Sequence, residues 1–209
     1  MRKKLLTFLL FILFISTVSC GNTAPPKTVF FATPTLSPTP IPAKPALIYY
    51  SQKDPRWANT VLTCSNGYKT KFTNRGCGET VFAMLMSTYI DPKYTPPAVL
   101  DDFYGYSYCI GTYASYSVGM LSKQGFTVSG LITDSNTVRN YVKEGWFAWI
   151  QVEYYQNSKR IGHEVIITGI DSNNNFTVAD PYYGIGSIGN SKFPYSENNI
   201  TEFYVIKAP

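Results

Sequence analysis

The sequence predicts an α+β domain, with helices in its first half packed on a mostly antiparallel sheet from its second half. Two observations carry this. From Cys77 to about Lys143, apolar residues recur at the three- and four-residue spacings of helices, as in Val81, Met84 and Leu85. From Trp146 onward, β-branched and aromatic runs are interrupted by Gly, Asn and Pro, which is the pattern of short strands and tight turns. Residues 47–209 are long enough to bury a core and short enough to form one domain.

The chain starts with a different kind of segment. Arg2, Lys3 and Lys4 precede the almost wholly apolar Leu5 to Ile15, and small and polar residues then lead to Ser19-Cys20-Gly21. The apolar run is shorter than the roughly 20 residues of a membrane span, so residues 1–19 read as an export signal. A cysteine set among small residues just after such a run resembles the lipobox of bacterial lipoproteins. Cys20 is therefore the expected lipidation site, although Thr17 departs from the aliphatic residue usual three positions earlier. Residues 20–46 are rich in Pro and Thr and read as an extended, solvated tether, which would hold the domain off the outer face of a bacterial membrane. The alternative is a plain unstructured secretion leader.

Within the domain, Ile48 to Gln52 reads as an extended stretch, Asp54-Pro55 as a turn and Trp57 as a core anchor. Cys64 to Gly76 reads as an exposed loop. Cys77 to about Ile90 is the strongest helix, with Met84 and Met86 expected in the core. Weaker helical stretches follow at Ala98 to Phe103 and Tyr113 to Gly125. Asp134 or Ser135 can cap a short helix through Val138 that Gly145 stops. Trp146 to Val152 reads as a buried strand leading into a hairpin, which runs from Gly162 to Ile170, turns at Asp171 to Asn175, and returns through Phe176 to Asp180.

Arg2, Lys3 and Lys4 account for three of the 18 basic residues, set against 13 acidic ones, so the exported part is nearly neutral. This excludes the concentrated basic face of a nucleic-acid binder, and a monomer is expected. With one histidine and no Cys-x-x-Cys pair, neither a metal nor another cofactor is expected.

Three residues point to chemistry. Cys77 lies at the start of the strongest helix, where unpaired backbone N–H groups favour thiolate over thiol. His163 is the single histidine, on a predicted strand. Asp180 shares a face with it in any register that sets Asp180 opposite Val165, whereas a one-residue slip would separate them. Cysteine, histidine and aspartate in this order read as nucleophile, base and orienter. Each also has a structural reading, as inert buried cysteine or turn-starting aspartate. Glu164 is expected on the solvated face, and the Tyr-rich stretches as packing, with Tyr182 and Tyr183 able to shape a groove. If Cys20 carries lipid and Cys77 stays free, Cys64 and Cys109 remain as a pair for a disulfide.

The segments Tyr49 to Trp57, Gly76-Cys77-Gly78-Glu79-Thr80, Gly162 to Asp171 and Val178 to Gly184 together resemble the free-standing relatives of the bacteriocin-exporter leader peptidases, papain-like cysteine peptidases of family thirty-nine. The resemblance implies a papain-like fold with Cys77 as nucleophile, His163 as base and then acid, Asp180 as orienter, and Gln52 as an oxyanion-hole side chain aided by the Cys77 N–H. Two departures stand out: Glu79 replaces a residue that is often proline, and a long insertion separates Gln52 from Cys77. The implied activity is hydrolysis of peptide or protein substrates. The alternatives are a catalytically silent binding module and a cell-wall peptide amidase or transamidase.

Overall fold

A computed structural model describes residues 45–64, 66–105 and 114–209. The expected export signal, Cys20 with most of the expected tether, and Cys109 lie outside the described residues. The strands are β1 (Val61–Thr63), β2 (Lys69–Lys71), β3 (Thr127–Val128), β4 (Phe147–Gln156), β5 (Lys159–Ile170), β6 (Phe176–Asp180), β7 (Gly184–Ser187) and β8 (Ile200–Lys207). The helices are α1 (Phe72–Arg75), α2 (Cys77–Tyr89), α3 (Pro96–Val99), α4 (Ala114–Lys123) and α5 (Ser135–Lys143), and a π-helical turn at Leu100–Tyr104 continues α3.

Six strands form one antiparallel sheet in the order β3-β8-β4-β5-β6-β7. Side chains alternate across a strand, so β4 serves two cores at once. Phe147 and Trp149 pack with α2 and α4 on one face; Ala148, Ile150 and Val152 pack with Val138 and Val142 of α5 on the other. Asp134 caps α5 as expected, accepting from the N–H groups of Asn136 and Thr137.

Helix α2 is buried on more than one face. Every residue from Gly78 to Ser87 is buried, so the single apolar stripe expected from its spacing understates the packing. Its serine and threonine hydroxyls are satisfied within the helix: Thr80 donates to the Gly76 carbonyl at 2.5 Å and Ser87 to that of Ala83 at 2.6 Å.

The exposed loop expected at Cys64 to Gly76 is corrected. This segment pairs β2 with β1 and then forms α1, and Leu62 and Phe72 are fully buried. Three-residue strands are too short to show periodicity, and one phenylalanine provides the anchor. Cys64 is disulfide-bonded.

Candidate active site

The start of α2 is set by packing. A Cβ on Gly76 would lie 2.5 Å from the ring of Phe72, so only glycine fits between α1 and the first residue of α2, Cys77. Gly76 brings no side-chain cap, leaving the first N–H groups of α2 without one.

β5 carries His163 and β6 carries Asp180. Their register pairs Ile166 with Ala179, so one step along the ladder Val165 stands opposite Asp180 and His163 lies diagonal to it. The His163 ring donates from Nε2 to Asp180 Oδ1 at 2.8 Å, with both side chains buried. This leaves Nδ1 as the second ring nitrogen, in a cleft of about 190 Å³ whose walls include Cys77, His163, Gln52, Tyr154, Tyr182 and Tyr183.

Asp180 is more heavily held than the sequence suggests. Its Oδ1 also accepts from the N–H groups of Tyr182 and Tyr183, at 2.7 and 2.8 Å, and its Oδ2 accepts the Tyr195 hydroxyl at 2.5 Å. Burial works against its charge, but the nearby His163 and the hydrogen bonds outweigh burial and hold the carboxyl below its ordinary range. Sequence reasoning did not single out Tyr195. Nothing in its spacing marks it, because its reach to Asp180 depends on the path of the loop between β7 and β8.

The segment around Gln52 is stitched to the end of β6. Tyr49 donates its hydroxyl to the Asp180 carbonyl, while Ser51 Oγ and the Gln52 N–H both donate to the Pro181 carbonyl. Gln52 Nε2 donates to the Thr73 carbonyl at 2.8 Å, and its Oε1 is buried without a partner. One amide hydrogen is thus committed to the backbone, and a second remains on the same nitrogen at the cleft wall.

The expectation of a solvated Glu164 is corrected. Glu164 is 3% exposed and accepts a hydrogen bond from Trp149 Nε1 at 2.8 Å. Alternation does put it on the face opposite His163, but that face carries α2, so both faces of β5 are buried there. Glu79, in the first turn of α2, is also buried. The charge environment of Cys77 is therefore mixed. Burial, then Glu164 and Glu79, push the thiol well above its ordinary value, while hydrogen bonding from the backbone of Glu164 and Gly78 pulls the other way. The Cys77 side chain is only partly buried, at the cleft wall, and there the two carboxyls oppose the thiolate that its helix position alone favours. Among the described residues no cluster of three or more His, Cys, Asp or Glu is placed to hold a metal.

The sequence pattern of the Peptidase_C39 like family matches residues 47–206, nearly the whole of the described domain. The chain belongs to this family. The mixed helical and antiparallel architecture agrees with a papain-like fold for this C39-like chain, and the family is one of cysteine peptidase-like domains. A search among curated proteins returned no match.

Proposed function

We propose that the protein is a cysteine peptidase of the cell exterior that cleaves peptide bonds through Cys77, His163 and Asp180. The observation that carries this reading is the direction of the His163 ring. Nε2 is committed to Asp180, so Nδ1 is the nitrogen available in the cleft that Cys77 also lines. Asp180 fixes that tautomer and stabilises the imidazolium once it forms.

The thiol proton passes from Cys77 Sγ to His163 Nδ1 as the sulfur attacks the substrate carbonyl, forming a C–S bond and an oxyanion. The N–H groups at the start of α2, with the remaining amide hydrogen of Gln52, stabilise that oxyanion. Collapse expels the amine, which takes the proton from His163, and leaves an acyl-enzyme. Water, deprotonated by His163, then releases the acid and restores the thiol. Aromatic and amide groups predominate on the cleft walls, and among the described lining residues there is no Lys, Arg, Asp or Glu, which favours neutral side chains next to the scissile bond. Cys20 is the proposed lipid anchor, with the tether holding the domain off the membrane; metabolic labelling with a fatty-acid analogue, lost in Cys20→Ala, tests this.

The deciding experiment incubates the full chain and Cys77→Ala with a peptide mixture, purified cell-wall peptides and an amine acceptor, with products identified by mass spectrometry. New carboxyl termini formed by the wild type alone support the peptidase. New amide products would instead make it a transamidase. An intact mixture throughout would sink the hydrolytic reading in favour of a binding module.

A further inference from the structure

The proposed reaction uses Cys77, His163 and Asp180, but two buried carboxyl groups beside it have no part in that chemistry. Glu79 lies two residues after Cys77 in the first turn of α2 and is 1% exposed. Glu164 directly follows His163 on β5 and is 3% exposed. Glu164 is held by Trp149 Nε1, and Trp149 packs in the same cluster as Val81, Met84 and Leu85 of α2, so the Glu164 carboxyl faces the helix that carries Glu79 and Cys77. Glu202 of β8, partly exposed, stands in the same cross-strand row as Glu164, with Gln151 of β4 between them.

Two buried carboxyls thus lie behind a thiol that is itself only partly buried, at the cleft wall. Like charges next to a region shielded from water oppose one another, so ionisation of the carboxyls and of the sulfur is linked. A charge held on the carboxyls therefore opposes a charge on sulfur.

We propose that Glu79 and Glu164 act as a tuning pair for the nucleophile, their buried carboxyls set behind Cys77 so that they oppose charge on its sulfur until His163 accepts the proton. The pair touches neither substrate nor leaving group and acts only through Cys77. This makes the enzyme a base-driven thiol peptidase, as opposed to one that rests as a thiolate–imidazolium pair. The inference deepens the peptidase reading, resting on it for the nucleophile, but its test does not need a substrate.

The test follows alkylation of Cys77 by iodoacetamide against pH, on the full chain, with the labelled site located by mass spectrometry. Wild type is compared with Glu79→Gln, Glu164→Gln and the double variant. Glutamine keeps the shape and can still accept from Trp149. Neutralising the pair should move the alkylation profile of the double variant to lower pH and raise the rate at pH 7 by about tenfold or more, the size expected from removing a nearby like charge. At least one single variant should move the same way, so the question survives if the double variant does not fold. Lowered thermal stability with an unmoved profile in every folded variant would make the pair merely structural and overturn the proposal. A shifted profile in a protein that cleaves no peptide would leave the tuning intact and defeat only the peptidase reading.

Discussion

Asp180 collects four hydrogen bonds on two oxygens, and their division makes a residue-level prediction. Oδ1 is fixed by two backbone N–H groups as well as by His163, so an asparagine in its place must put its carbonyl oxygen there. Its NH2 would then face Tyr195, whose hydroxyl can turn to accept. Asp180→Asn should therefore keep the His163 tautomer and retain measurable peptidase activity. Asp180→Ala, which frees the ring, should lose about a hundredfold or more in kcat/KM. Equal losses in both would show that the charge, not the orientation, is what matters. Tyr195→Phe removes one bond to a buried carboxylate, worth about 1.5–3 kcal/mol of stability. Because that bond helps hold the Asp180 pKa down, its loss should also move the acid limb of the stability–pH curve to higher pH. A thermal shift without movement of that limb would confine Tyr195 to packing.

At the scale of elements, the junction of α1 and α2 decides where Cys77, the proposed nucleophile, sits. Gly76→Ala would drive a methyl group into a fully buried Phe72 ring, an overpacking that typically costs about 1–3 kcal/mol. It should lower the urea midpoint and slow Cys77 alkylation together, whereas Phe72→Leu in the same background should restore part of both. An unchanged alkylation rate in Gly76→Ala would mean that the start of α2 tolerates the shift. This junction also marks the limit of what the sequence discloses. Helix α2 and the β5–β6 hairpin were legible because each is long enough for a period to repeat and ends in a recognisable turn. β1, β2 and α1 were not, since three or four residues carry no period. The Cys77, His163 and Asp180 positions were legible from residue chemistry and order. Tyr195 was not, because its contact is made by a loop, and Glu164 was misplaced because strand alternation shows that two faces differ without showing that both are covered.

Over the whole molecule, Asp180 and Glu164 pull stability in opposite directions with pH. Asp180 has a native pKa below its unfolded value near 3.9, so its contribution is present above that pH and is lost as pH falls through the depressed native value. Glu164 is the reverse. Burial first, then the neighbouring Glu79 and Glu202, raise its native pKa well above the unfolded value near 4.3, outweighing the Trp149 hydrogen bond. Between those two values the unfolded chain has released the proton that the native protein still holds, so stability falls as pH rises. Its contribution is complete below about pH 4.3 and is lost progressively toward the raised native value. Glu164→Gln removes that slope while leaving Asp180 untouched. Urea midpoints measured from pH 5 to 7.5, below the ordinary thiol range, should therefore decline with pH in the wild type more steeply than in Glu164→Gln. The variant should gain most over the wild type at the upper end. Parallel curves would mean that Glu164 is ionised in the native state throughout, and that the chain maintains a buried carboxylate next to Cys77.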